Sequence, residues 1–268
     1  MSRLQGKRIV LAGQRKIEEQ SKIVENLGGI ALSRPAQGTV FLDDKGLEEK
    51  IRNLINNPVD WLILTTGMGT EALWNKAKDL GFEEEWLQAL SAVKIGVRGY
   101  KTMQMVNKLG LKSDARDDDG SNDGLLRELE PFDFRGKRVA LQLHGEPAPK
   151  LKEWFASKNA ETIEIQPYLH IAPDQAVLNQ LTEEIIEGKV DAVSFTSTPQ
   201  GRFLMKYARE KGIEDKILTA FSDKVVALAV GKVTAQSLKE EGIKRVIVPE
   251  IERMGSAIMA LSHYYDQK

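Results

Sequence analysis

The 268-residue sequence predicts an α/β protein made of two similar parallel-sheet units. Three observations carry this. Short apolar runs alternate with amphipathic segments, the pattern of parallel strands joined by helical crossovers. The pattern begins again halfway along the chain. And an Asp, a buried-looking apolar run and two hydroxyl residues at a strand-to-helix turn occur twice, as Asp60-Trp-Leu-Ile-Leu-Thr-Thr-Gly-Met-Gly-Thr-Glu71 and as Asp191-Ala-Val-Ser-Phe-Thr-Ser-Thr-Pro-Gln-Gly-Arg202.

In order, residues 6–12 form a strand entering the turn Gly13-Gln14-Arg15. A helix follows, with Ile17, Val24 and Leu27 on one face and Gly28-Gly29 as its stop. Residues 30–32 and 39–42 are strands separated by Pro35 and Gly38, and Asp43 caps a helix carrying Leu47, Ile51, Leu54 and Ile55. After the Asp60 strand comes a helix with Leu73, Ala77 and Leu80, closed by Gly81. Residues 93–97 are a strand leading to Arg98-Gly99 and another helix. Residues 113–123 are polar and read as a loop, with Asp117–Asp119 as its solvated part, and a short helix carries Leu125, Leu126 and Leu129.

From Gly136 the same order returns. Gly136-Lys-Arg138 repeats Gly6-Lys-Arg8 at an offset of 130. Asp174, Leu178, Ile185, Val190, Asp191, Thr196 and Ser197 follow Asp43, Leu47, Leu54, Val59, Asp60, Thr65 and Thr66 at 131, and Gly231, Thr234 and Gly242 follow Gly99, Thr102 and Gly110 at 132. A domain-sized offset held this tightly is a duplication rather than a solenoid repeat. In the second copy, Pro199 after Thr198 reads as the first helical position after an N-cap.

Apolar residues at 41% support real cores, and charged residues at 29% with a net charge of −1 give an ordinary surface without a global field for nucleic acid or an acidic membrane. Neither is expected as a partner, and an anionic ligand needs a local basic site. The absence of cysteine excludes disulfides, thiolate chemistry and Cys-ligated metals. Residues 1–8 have no apolar core behind their basic residues, and no run approaches the ~20 apolar residues of a membrane span. A soluble cytoplasmic chain is expected.

In parallel sheets, ligands gather at the turns beyond the strands' carboxyl ends. These turns nominate Arg15, Thr65, Thr66, Gly67, Arg98, Gly99, Lys101, His144, Gly145, Thr196, Ser197, Gln200, Gly231, Lys232 and Thr234 as ligand contacts. They supply hydroxyls, accessible amides and cations with few acids, which suits a polyanion. The same residues would serve equally as tight turns and helix caps. His144 stands at a strand end where an acid–base group or a capping residue fits, while His170 and His263 lack partners at metal-ligand spacing. Asp43, Asp60, Asp174 and Asp191 read as caps and strand starts. Tyr168, in Gln166-Pro167-Tyr168, stands where a strand leaves for the connection to Asp174, and on its own reads equally as a half-buried packing residue. No phosphate loop, dinucleotide fingerprint or nucleophile elbow is present.

The ordered set Gly136-Lys-Arg…Gly145-Glu146, Tyr168, Asp191…Phe195-Thr-Ser197, Gly231…Thr234 and Gly242 resembles uroporphyrinogen-III synthase over nearly the entire chain. It is most similar to a variant subgroup with a Thr-Gly-x-Gly-Thr turn, here Thr66 to Thr70. The resemblance implies two flavodoxin-like domains joined by two extended linker strands, one domain from residues 1–35 plus 172–268 and the other from 38–169. The linkers would lie near 34–38 and 167–174, with a cleft between the domains. It also implies a reaction without metal or cofactor, in which hydroxymethylbilane loses water and closes to uroporphyrinogen III with inversion of ring D. Tyr168 matches the tyrosine that donates a proton to the departing hydroxyl, and the turn residues would hold the eight carboxylates of a linear tetrapyrrole. A monomer is expected, with transient contact with hydroxymethylbilane synthase. The sequence departs from the family pattern at Gly13-Gln14-Arg15, at Thr66, at Gly99-Tyr100-Lys101 and at Gly231-Lys232-Val233. A non-catalytic protein that binds a tetrapyrrole or another polyanion, and a two-lobed sensor of a small solute, stand as alternatives.

Overall fold

The computed structural model describes residues 3–42 and 45–267. Cα proximity divides the chain into two compact units, Met1–Gly38 with Ile171–Lys268, and Thr39–His170. Strands and helices are numbered in chain order.

The 39–170 unit holds a five-stranded sheet in the order β6 (Ala115–Arg116), β5 (Lys94–Val97), β4 (Trp61–Leu64), β7 (Arg138–Gln142), β8 (Glu161–Ile165). Every pairing in it is parallel. Residues of β4 alternate between two cores because successive side chains of a strand point to opposite faces. Leu62 and Leu64 pack with Leu47 and Ile51 of α2 (Lys45–Asn56), Leu73 of α3 (Gly67–Asp79), Trp86 of α4 (Glu83–Ser91) and Val106 of α5 (Tyr100–Lys108). Trp61 and Ile63 face Leu125 and Leu129 of α6 (Asn122–Leu129) and Leu151 and Phe155 of α7 (Pro149–Ser157). Each fully buried aliphatic or phenylalanine side chain contributes about 1.5–3 kcal/mol relative to exposure, which is why these short helices hold in place.

The other unit repeats this plan from two separate pieces of chain. Its sheet order is β12 (Val246–Ile247), β11 (Val226–Ala229), β10 (Ala192–Phe195), β1 (Arg8–Leu11), β2 (Ile30–Ser33), again all parallel. One face is covered by α8 (Gln175–Ile186), α9 (Thr198–Glu210), α10 (Glu214–Asp223) and α11 (Lys232–Glu240), through Leu178, Leu204, Ile217 and Leu238. The other is covered by α1 (Ile17–Asn26) and α12 (Met254–Asp266), through Val24, Ala257 and Leu261. The chain passes between the units twice, in β3 (Gly38–Phe41) and β9 (Tyr168–Ile171), which pair as a two-stranded ribbon.

The duplicated aspartates start the strands for one physical reason. Asp60 accepts hydrogen bonds from the Arg138 backbone N–H at 2.9 Å and from Lys137 Nζ at 2.9 Å. Asp191 accepts from Arg8 N at 2.8 Å and from Lys7 Nζ at 2.7 Å. The repeated Gly-Lys-Arg tripeptide and the repeated Asp are thus the two sides of one staple between neighbouring strands.

Several expectations are corrected. Helices α4 and α10 are additional to the elements read from the sequence, each following a glycine with positive φ, Gly81 at 75° and Gly212 at 67°. The 113–123 stretch contains β6, and Asp117 is buried rather than solvated, accepting from the backbone N–H groups of Gly99 and Gly120. The N-cap of α9 is Ser197, with Thr198 and Pro199 as its first helical residues. Asp174 caps α8 by accepting from Ala176 N at 2.8 Å. Asp43 lies outside the described residues.

Candidate active site

In the 39–170 unit, chain order reverses between β4 and β7, and the carboxyl ends of those two strands meet. A parallel sheet opens a crevice at such a point. Gln142, the last residue of β7, is fully buried and organises it. Its Oε1 accepts from Thr65 N at 3.0 Å and Thr66 N at 3.1 Å, and its own carbonyl accepts from the Thr65 hydroxyl at 2.7 Å. Because Oε1 takes two backbone N–H groups, the amide orientation is fixed. Nε2 therefore points the other way, donating to Leu143 O and, at 3.3 Å, to Thr66 Oγ1. A Cβ at Gly69 would overlap that Nε2, so the first turn of α3 approaches this closely because it carries glycine.

Thr66 caps α3, its Oγ1 accepting from Gly69 N at 3.1 Å. The same oxygen lies 2.9 Å from the phenolic oxygen of Tyr168. A hydroxyl has two acceptor lone pairs and one proton. With Gly69 N–H and Gln142 Nε2 filling the lone pairs, the Thr66 proton is directed to the phenol oxygen, and the phenol's own proton is not committed to Thr66.

Tyr168 is 1% exposed, so the half-buried reading is corrected: the ring is packed, with Phe41 at 6.0 Å and His170 at 5.3 Å between ring centroids. Burial pushes its phenol above the usual 10.0, opposed by the hydrogen bond from Thr66 and the charge of Arg98, and aided by Glu146. The phenol is therefore protonated at neutral pH. Burial lowers the His170 imidazole, with Glu146 and the His144 backbone acting in the opposite sense. Gly145 sits at φ +86°, and a Cβ there would lie 2.6 Å from the Tyr168 ring and 2.7 Å from His170, so glycine is what lets this turn close over both rings. His144 is half-buried at the same strand end.

Arg98 turns into the protein. Its Nε donates to Thr65 O at 3.2 Å and its Nη1 to Asn122 Oδ1. Burial lowers its pKa, countered by Tyr168 and Asp117, and a guanidinium keeps its charge regardless. The Gly99 amide is taken by Asp117. Lys101 is exposed on α5, and its backbone carbonyl would lie 2.8 Å from a Cβ at Gly67.

In the other unit, the same position of the fold gathers Gly13, Thr196, Ser197 and Gln200. Gln200 is buried, its Oε1 accepting from Thr196 N at 2.8 Å and its Nε2 donating to Thr196 Oγ1 at 3.0 Å. A Cβ at Gly13 would lie 2.6 Å from Thr196 Oγ1. The Ser197 hydroxyl donates to Gln37 Oε1. Arg15 is exposed just before α1, and its carbonyl accepts from Gln20 Nε2 at 3.0 Å. The Lys232 amide at the start of α11 is held by Glu252 at 3.1 Å, with Gly231 packed against the same carboxylate, and Thr234 is buried. The expectation of turns poor in acids is thus corrected: Asp117 and Glu252 occupy the helix N-termini at Gly99 and Lys232.

A sequence profile of the family described as uroporphyrinogen-III synthase HemD matches residues 18–259. The chain belongs to the uroporphyrinogen-III synthase family. It is 45% identical over 265 residues to the uncharacterized protein YjjA of Bacillus subtilis strain 168, covering 99% of this chain and 98% of that one. Among solved structures it is similar to a mutant uroporphyrinogen III synthase from the extremely thermophilic bacterium Thermus thermophilus, at 31% identity and a TM-score of 0.86, covering 98% of this chain and all of that one. The uroporphyrinogen-III synthetase of Helicobacter pylori 26695, 15% identical with a TM-score of 0.56 over 96% of this chain and 99% of that one, shares the fold.

For a uroporphyrinogen-III synthase family member, the 39–170 unit assembles a protonated phenol, a hydroxyl directed at its oxygen, a half-buried cation near it and the amide of Gln142 behind them. Gln142, Gln37, Asp117 and Glu252 are absent from the residues nominated by sequence. A glutamine inside an apolar run reads as a tolerated core polar residue, and only its hydrogen bonds distinguish it. Among the described residues, no three His, Asp or Glu side chains gather in a group able to hold a metal ion, and no helix is long and apolar enough to cross a membrane.

Proposed function

We propose that the chain is a uroporphyrinogen-III synthase that converts hydroxymethylbilane to uroporphyrinogen III and water, within tetrapyrrole biosynthesis. The observation that carries this is the Tyr168 phenol, held protonated by burial and bonded to Thr66 at the switch point of the sheet. In this reading Tyr168 gives its proton to the hydroxymethyl oxygen as the C–O bond breaks, and water leaves. The pyrrole nitrogen's electron pair moves into the ring to form the azafulvenium, and Arg98 with the Thr66 hydroxyl stabilises the phenolate. The azafulvenium carbon then bonds to the ring D α-carbon that already carries the bridge to ring C, giving a spiro intermediate. That bridge bond breaks to leave an azafulvenium on ring C, whose carbon bonds to the free α-carbon of ring D. The proton lost from that carbon returns to the phenolate, so ring D is inverted and the balance is one bilane to one macrocycle and one water. At 1% exposure the phenol is covered, so its contact with the bilane requires its cover to move. Much of the acceleration is positioning of a floppy chain for closure, with the exposed Lys101 and the half-buried hydroxyl of Thr66 as carboxylate contacts in the 39–170 unit.

The test feeds freshly generated hydroxymethylbilane to the purified protein and separates the uroporphyrin isomers after oxidation. Type III isomer above the spontaneous type I background is the expected result. Type I alone from folded protein would overturn the reading, and uroporphyrinogen binding without turnover would favour a tetrapyrrole-binding protein in its place.

A further inference from the structure

We infer that Gln142 is a positioning residue of the reaction, fixing the direction of the Thr66–Tyr168 hydrogen bond so that the phenolic proton stays available for donation. The inference rests on the proposed role of Tyr168 and goes beyond it, because it assigns the proton inventory to a residue that touches neither the phenol nor a substrate.

The argument is one of counting. Thr66 Oγ1 meets Gly69 N at 3.1 Å, Gln142 Nε2 at 3.3 Å and Tyr168 Oη at 2.9 Å. The first two can only donate to it. Both lone pairs are then filled, and the remaining partner receives the Thr66 proton. Without the Gln142 donor, one lone pair opens and the phenol can donate into it, which ties up the proton that the reaction needs. The amide cannot rotate to avoid this role, because Oε1 is held by two backbone N–H groups.

The duplicated turn supplies an internal control. Gln37 stands 131 residues before Tyr168, as Thr66 stands 131 before Ser197. There the hydroxyl donates outward to a carbonyl oxygen, Gln37 Oε1. The direction of the bond, hydroxyl to partner, is common to both units, and only in the 39–170 unit does the partner carry an acidic proton of its own. The charged and titratable groups around the phenol are Arg98 after β5, Glu146 after β7 and His170 on β9, and the substitutions below change none of them.

The test is a pH titration of the protein labelled with ¹³Cζ-tyrosine, with the Tyr168 signal assigned by its loss in Tyr168→Phe. Gln142→Met should raise the phenol titration by about half a unit or more, since the neutral phenol gains an acceptor in Thr66. The same substitution in a Thr66→Val background should produce no such shift, because Gln142 acts only through that hydroxyl. In turnover, Gln142→Met should lower kcat about tenfold with KM unchanged. An unshifted phenol in folded Gln142→Met, or an equal shift with and without Thr66, would overturn the inference. If Gln142→Met does not fold, Gln142→Glu keeps an acceptor for the Thr65 and Thr66 amides and removes the donor. Its ionised carboxylate raises the phenol in either background, so the expected result is a larger shift with Thr66 in place than in the Thr66→Val background, and equal shifts overturn the inference. The titration does not depend on turnover, so its failure is distinguishable from failure of the synthase reading.

Discussion

The two hydroxyl turns are built to one plan with their parts exchanged. In the 39–170 unit the organising glutamine is on strand β7 and the glycine facing it is Gly69, on helix α3. In the other unit the glutamine, Gln200, is on helix α9, and the glycine packed against it and Thr196 is Gly13, after strand β1. Either placement binds the first turn amide and packs helix against strand. What differs is the third partner. Ser197 meets an amide oxygen at Gln37, whereas Thr66 meets the phenol of Tyr168. A duplicated scaffold can thus hold its architecture by two interchangeable arrangements while only one copy carries a proton able to take part in chemistry.

The largest test of this contrast is to remove each third partner. Tyr168→Phe should reduce turnover by about 10²–10⁴-fold, the usual contribution of a general acid, while Gln37→Leu should leave turnover near wild type and cost about 1 kcal/mol of stability for one unmade hydrogen bond. Isomer-resolved kinetics beside denaturant titration of both variants would measure this, and equal losses of turnover would break the contrast. The exchanged glycines come next. Gly69→Ala and Gly13→Ala should each destabilise by about 1–3 kcal/mol through overpacking, read as a lower midpoint of unfolding. Only Gly69→Ala should also reduce turnover, since the added methyl displaces Gln142.

The pH dependence of the strand staples is smaller. The Arg138 backbone N–H, with Lys137, holds the Asp60 carboxyl below its ordinary 3.8. A depressed carboxyl contributes its stability in full above the unfolded value and loses it as pH falls through the folded one, so the loss falls below about pH 4. Asp60→Asn should flatten acid unfolding in that window by less than about 1 kcal/mol, because the group is partly solvated. Acid titrations of the variant and wild type, followed by circular dichroism, would compare the two.

Periodicity made the α/β class and the repeat legible, because the offset pairs among the described residues sit on a strand start, a turn or a core face that the duplicated fold uses twice. The offsets carry the repeat without saying how its halves are shared between compact units; the family resemblance supplied a discontinuous arrangement. Helices α4 and α10 were not legible because each follows another helix across a single glycine turn, Gly81 after α3 and Gly212 after α9, so one connection between strands carries two helices. At the site, the turn hydroxyls and Tyr168 could be nominated from residue type and place. Gln142 could not, since its role lies in which of its two amide atoms faces which neighbour. Arg98 was nominated as a cation for a ligand, and its hydrogen bonds to Thr65 and Asn122 follow from the fold of the turn rather than from its charge.

The split composition of one unit has a consequence for synthesis. Strand β1 pairs with β10, and Arg8 and Asp191 of their staple are 183 residues apart in sequence. On the ribosome, β1 and β2 emerge first and wait for their central partner, on the order of ten seconds or longer at ordinary elongation rates. The contiguous 39–170 unit can close its sheet during that interval. A nascent chain halted before residue 192 would therefore display a finished unit beside an apolar strand pair with no sheet to join, which makes the N-terminal segment the place where a chaperone, or an aggregate, would take hold.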